Sequence, residues 1–172
     1  YKPRTTGHAM QVKKALAAMA DAKRPVLVCG GGVVLAGARE ELTAFAEKSG
    51  IPVVSTMMGI GVVPMDSPLY LGMIGMHGTH ASNMTTTECD LLIAVGARFS
   101  DRVTCDLAQF SQQAKVVHID IDRSEIDKNV VTTHHIVGDA GEVLSALCQR
   151  MPKYEHKEWL SQVNSWRMEP NR

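Results

Sequence analysis

Apolar residues in this chain gather into short unbroken runs, and between the runs they recur at helical spacing. Val26-Leu27-Val28-Cys29, Ile51 to Ser55, Leu91 to Val95, Lys115 to Asp122 and His135 to Val137 read as five strands. Unbroken rather than alternating runs are the mark of strands buried on both faces. Ala9 to Ala22 places Val12, Ala15, Leu16 and Met19 on one helical face, and Arg24-Pro25 stops it. Helices are likewise predicted over Ala36 to Lys48, closed by Ser49-Gly50, and over His80 to Glu88. Further helical segments are Asp106 to Phe110, Ala140 to Arg150 after Asp139, and His156 to Arg167. Met57 to Met76, rich in Gly, Met and Pro, is the least regular stretch, and long connections in compact domains are commonly functional. Strand and helix alternate, so the fold class is α/β: a parallel sheet covered on both faces, in three layers.

At 172 residues the chain suits one domain with a sizeable core. Its formal net charge of zero supplies no electrostatic footprint for nucleic acid, and no apolar run reaches membrane-span length, so neither partner is expected. The four cysteines form no CxxC pair, and Cys29 and Cys148 lie in apolar surroundings, as reduced residues of a cytoplasmic protein do. The opening Tyr-Lys-Pro-Arg-Thr-Thr-Gly reads as a linker over 1–8, and the chain is expected to be a piece of a longer protein.

Ligands of open parallel sheets sit outside the carboxyl ends of the strands, so candidate chemistry belongs there. Gly96-Ala97-Arg98-Phe99-Ser100-Asp101-Arg102-Val103 follows a strand and carries two guanidiniums suited to a diphosphate, or to pairing with Asp101 and Asp106. Gly30-Gly31-Gly32 lets backbone approach a diphosphate, or forms a tight turn; its spacing is neither G-x-G-x-x-G nor a P-loop. Asp120 and Asp122 end a strand and can accept from ribose hydroxyls, although Asp122 also suits capping of Arg123-Ser124-Glu125. The Gly-Met repeats of Leu71 to Thr79 suit an apolar wall against a flat ring. His77 and His80 have ligand spacing but no companions, and His134-His135 face opposite ways on a strand, so no metal site is expected. No nucleophile with a base and no G-x-S-x-G elbow is present, which makes a binding domain the reading of the residues alone.

RPVLVCGGG, GIPVVSTMMGIG, LGMIGMHGT, GARFSDRVT, KVVHIDID with SEI after it, and VGD follow one another over residues 1–151. In that order they resemble the central domain of the acetolactate synthase (acetohydroxyacid synthase) large catalytic subunit family, whose members depend on thiamine diphosphate. The resemblance implies a nucleotide-binding domain of Rossmann-like (DHS-like) topology over 9–151, and a helical linker over 152–172 toward a domain not in this chain. It implies an enzyme that condenses two pyruvates, or pyruvate and 2-oxobutyrate, with loss of carbon dioxide, in branched-chain amino-acid synthesis. It further implies FAD held in this domain without net redox work. Thiamine diphosphate and Mg2+ would be bound by other domains, so catalytic residues and metal ligands are expected outside this chain.

By the same resemblance Gly30, Gly31 and Gly32 approach the flavin nucleotide, and Thr56, Met57, Met58, Ile74, Gly75, Met76 and His77 follow the flavin and ribityl chain. Gly96, Ala97, Arg98, Arg102 and Val103 line the other side, Asp120 and Ile121 hold the adenosine end, and Asp139 and Ala140 lie close by. The implied partners are the two other domains of the subunit, further copies in a homo-oligomer, and a regulatory subunit. Two positions depart from the family pattern: Ser100 stands where a second acidic residue is usual, and Cys105 where glycine is usual. The alternatives are the central domain of another thiamine diphosphate enzyme such as pyruvate oxidase, and a scaffold domain that has lost flavin.

Overall fold

A computed structural model describes residues 5–100 and 113–170. The segment Asp106 to Phe110, together with Asp101, Arg102, Val103 and Cys105, lies outside the described residues. Strands β1 (Pro25–Cys29), β2 (Val53–Ser55), β3 (Tyr70–Met73), β4 (Leu91–Val95), β5 (Lys115–Asp120) and β6 (His134–Val137) form one sheet in the order β3-β2-β1-β4-β5-β6. Every neighbouring pair is parallel. The five expected strands are all present, and the sheet gains a sixth inside the stretch that looked irregular. β3 is hidden in sequence because it is four residues long, contains Gly72 at φ +111°, and pairs with β2 through a register shift.

The buried runs split by parity, as strands buried on both faces must. Leu27, Cys29, Leu91, Ile93, Val95, Val117 and Ile119 face one core, with α1 (Ala9–Asp21), α3 (Arg39–Ser49) and α5 (Ala140–Arg150) over it. Val26, Val28, Leu92, Ala94 and Val116 face the other, which includes Trp159 and Trp166 of α6 (Lys157–Arg167) and lies beneath α4 (His80–Glu88). That is the expected three-layer arrangement. Both tryptophans are buried and stand edge to face with centroids 5.8 Å apart, and Trp159 Nε1–H donates to the Pro25 carbonyl at 2.8 Å. The last helix is therefore fastened to the first strand.

Local chemistry sets the element ends. Gly50, at φ +65°, closes α3 by donating to Ala46, and Asp139 caps α5 by accepting from Glu142 N–H. The helix expected from Ala36 is displaced: a short α2 (Gly31–Leu35) begins directly on the glycines, and the chain turns at Gly37 (φ +64°) before α3. Gly37 is needed there because the left-handed region costs an ordinary residue about 1–2 kcal/mol.

Cys29 is fully buried at the end of β1, and burial pushes its thiol up to about 12. The thiolate is the reactive form, so Cys29 should stay unlabelled by a maleimide at pH 8 until denaturant is added, as read by mass spectrometry. Trp159→Phe removes the indole donor while keeping an aromatic ring. The expected loss is about 1 kcal/mol of unfolding free energy in a urea titration.

Candidate nucleotide site at the carboxyl edge of the sheet

Strand order reverses between β1 and β4: the chain goes on from β1 to β2 on one side and from β4 to β5 on the other. The observed order is the one in which dinucleotides cross the sheet at the reversal. Each loop leaving a strand is pinned to its neighbour by one more backbone bond. Ile74 N–H donates to Ser55, Thr56 to Cys29, Gly30 to Val95, Gly96 to Ile119 and Gly138 to Asp120, all at 2.9–3.0 Å. Loop position is thus an extension of sheet register.

At the reversal the backbones touch. Gly32 N–H donates to the Gly96 carbonyl at 2.9 Å. A Cβ on Gly30 would lie 2.4 Å from the Gly96 oxygen, and one on Gly32 2.6 Å from Gly96 Cα. Gly96 itself sits at φ +57° with Gly32 Cα 2.6 Å from where its own Cβ would be. Two of the three consecutive glycines are therefore required for this contact. Gly31 instead faces a cleft, where a Cβ would come 3.0 Å from Met58 Cβ.

That cleft, about 610 Å³, is walled by Gly31, Gly32, Val34, Leu35, Thr56, Met57, Met58, Met73, Ile74, His77, Gly96, Arg98 and Ser100. The volume falls within the range of small-molecule sites. Met57 and Met58 extend from a 3-10 turn (Met57–Gly59) and remain exposed, as does Leu35. Arg98 is 79% exposed, with Glu125 3.7 Å away as a loose partner, so its guanidinium is available to an anion at the mouth.

Of the expected residues, Gly31, Gly32, Thr56, Met57, Met58, Ile74, His77, Gly96 and Arg98 line this cleft together. Gly30 and Ala97 lie beside it in the backbone contact, with Ala97 buried, and Met76 is exposed on the adjoining loop. Asp120 ends β5; its Oδ1 accepts from Asp122 N–H at 2.9 Å, and its Oδ2 lies 3.5 Å from His118 Nε2. Ile121 is exposed beside it. Asp122 caps the turn Arg123–Glu125, and the hydrogen bonds from Ser124 hold its carboxyl below the usual range. Asp139 and Ala140 stand at the start of α5 after β6; Asp139 borders a separate shallow depression with Glu41 and Glu142, while Ala140 is buried. His77 and His80 do different things: His77 lines the cleft, and His80 Nε2 is 2.8 Å from Glu169 Oε2.

The expected helix boundary hid Val34 and Leu35 in the walls, whereas Met73, from the Gly-Met repeats expected to form an apolar wall, does line the cleft. Sequence reading also missed Asn83. From α4, Asn83 accepts from Gly75 N–H at 2.9 Å and donates to the Gly75 carbonyl at 3.0 Å, holding that residue at φ +101°. Thr79 caps the same helix and its hydroxyl donates to Leu71 O, so the start of α4 is tied to β3 as well as to Gly75. Asn83→Leu leaves both Gly75 groups without these partners. The expected outcome is a loss of about 1–3 kcal/mol in stability, with faster amide exchange confined first to residues 74–78.

Comparison with known proteins agrees with this layout. Residues 12–147 match the family described as thiamine pyrophosphate enzyme, central domain. The chain is 52% identical over 166 residues, 95% of its length, to a probable acetolactate synthase large subunit of Methanocaldococcus jannaschii. It is 42% identical over 174 residues, 97% of its length, to the acetolactate synthase isozyme 3 large subunit of Escherichia coli, and 50% identical over 149 residues, 87% of its length, to the acetolactate synthase large subunit of Corynebacterium glutamicum. These alignments span 28%, 30% and 24% of the three relatives. The parallel sheet, its strand-order reversal and the match over most of its length agree: this chain belongs to the family of thiamine pyrophosphate enzyme central domains.

Proposed function

We propose that this chain is the FAD-binding central domain of an acetolactate synthase large subunit. The observation that carries the reading is the apolar cleft at the strand-order reversal, with an available guanidinium at its mouth. Met57, Met58, Met73 and Ile74 offer polarizable and aliphatic surface to a flat ring. Arg98 offers forked donors to a diphosphate. Six strands at about 4.8 Å spacing give a carboxyl edge of about 24 Å, which suits an extended dinucleotide running from the β3 loop toward Asp120, Ile121, Asp139 and Ala140. FAD bound here would supply a flat, largely buried framework for neighbouring domains, without net electron transfer in the condensation.

In the longer protein the activity is the condensation of two pyruvates, or of pyruvate and 2-oxobutyrate, with release of carbon dioxide. The work is done in the cytoplasm by a homo-oligomer joined by a regulatory subunit. Thiamine diphosphate and Mg2+ belong to other domains. Among the described residues no three His, Cys, Asp or Glu side chains meet as a metal site.

Titration of the chain with FAD, followed by flavin fluorescence with NAD as control, tests the reading. Saturable binding of FAD alone is expected, weakened about tenfold or more by Arg98→Ala through loss of a charge-assisted hydrogen bond. Binding of NAD in place of FAD, or of neither by a folded chain, contradicts it. Carbon dioxide release from pyruvate is expected to be absent from the chain alone.

A further inference from the structure

His118 is a histidine in the middle of β5, wholly buried on the sheet face that carries Ala97 and Phe99. Its Nε2 lies 3.0 Å from the Ala97 carbonyl oxygen and 3.5 Å from Asp120 Oδ2. Both neighbours are acceptors, a carbonyl having no hydrogen to give, so Nε2 carries the hydrogen. Among the described residues the buried Nδ1 has no hydrogen-bond partner, and the Phe99 ring stands edge to face against the imidazole, centroids 5.1 Å apart. A buried polar ring with one edge unsatisfied is costly, and an apolar side chain would fill the site without that cost. What the histidine adds is the donor, and from β5 that donor reaches the loop after β4.

We propose that His118 is a positioning residue: from β5, two residues before Asp120, its Nε2–H holds the carbonyl on the N-terminal side of Arg98, and so sets the arginine loop of β4 against the end of β5. The two segments also share the backbone bond from Gly96 N–H to Ile119 O, which fixes the base of the loop, and the Arg98–Glu125 contact at 3.7 Å. The inference deepens the flavin reading and rests on it for the ligand. Asp120 would receive the adenosine end and Arg98 the diphosphate, so His118 governs the register between these two parts of FAD. FMN lacks the adenosine part and is insensitive to that register.

The test compares His118→Leu, which removes the donor, with His118→Gln, whose amide nitrogen reaches close to the position of Nε2. Long-range proton–nitrogen correlation on the unsubstituted chain should find Nε2 protonated and Nδ1 bare. Amide exchange over 97–99 should quicken about tenfold in His118→Leu and return near the unsubstituted rate in His118→Gln. FAD affinity should fall about tenfold in the leucine variant with FMN affinity changed less than about twofold. Protonation at Nδ1 alone, unchanged exchange in both variants, or equal losses for FAD and FMN overturns the proposal. Should the leucine variant fail to fold, retention of unsubstituted exchange by the glutamine variant supports the proposal, and its failure to fold as well overturns it. If the unsubstituted chain binds neither flavin, the functional reading falls, while the tautomer and exchange results still decide whether His118 positions the loop.

Discussion

The backbone contact between Gly32 and Gly96 is the constraint on which this arrangement depends. It occurs where strand order reverses, joins the first turn of α2 to the loop after β4, and permits no side chain on either residue. Without it the two loops would part, and the floor of the cleft would be lost. The glycines thereby serve two ends at once. They allow close packing of backbone on backbone, and they leave the Gly31 and Gly32 backbone as part of the cleft wall.

From that contact the rest of the edge follows by register. Each loop begins with one further backbone bond to its neighbour, from β3 across to β6, so the positions of Ile74, Thr56, Gly30, Gly96 and Gly138 are coupled through the sheet. Helices then hold what the ladder does not reach. α4 fixes the Gly75 peptide through Asn83, and α6 is bonded to β1 through Trp159. An edge built on such supports is rigid where backbone is placed and free where side chains adapt. The exposed methionines of the 3-10 turn and the extended Arg98 are the adaptable part.

Much of this was legible in sequence, and the reason is burial. Strands β1, β2, β4 and β5 place residues in both cores, so they read as apolar runs, while the edge strand β6 buries only Ile136; the order of motifs along the chain carried the family. What escaped reading depends on contacts distant in the chain or on an exposed edge. β3 has too few residues and too much glycine to register as a strand. Asn83 and His118 have no local signature; one is a polar residue in a helix and the other a histidine in an apolar run. Their partners at Gly75 and at Ala97 and Asp120 emerge only from the fold. Asp122 and Asp139 show the opposite case, since capping is a local geometry that spacing reveals.

The central claim is that one extended flavin nucleotide lies along the carboxyl edge and crosses it at Gly96. Hydrogen exchange read by mass spectrometry, with and without saturating FAD, tests this most directly. The account predicts slowed exchange together at residues 56–58, 74–77, 96–98 and 120–121, and none of this pattern with NAD. Bound FAD that protects a different face, or that leaves 96–98 unchanged, would contradict it.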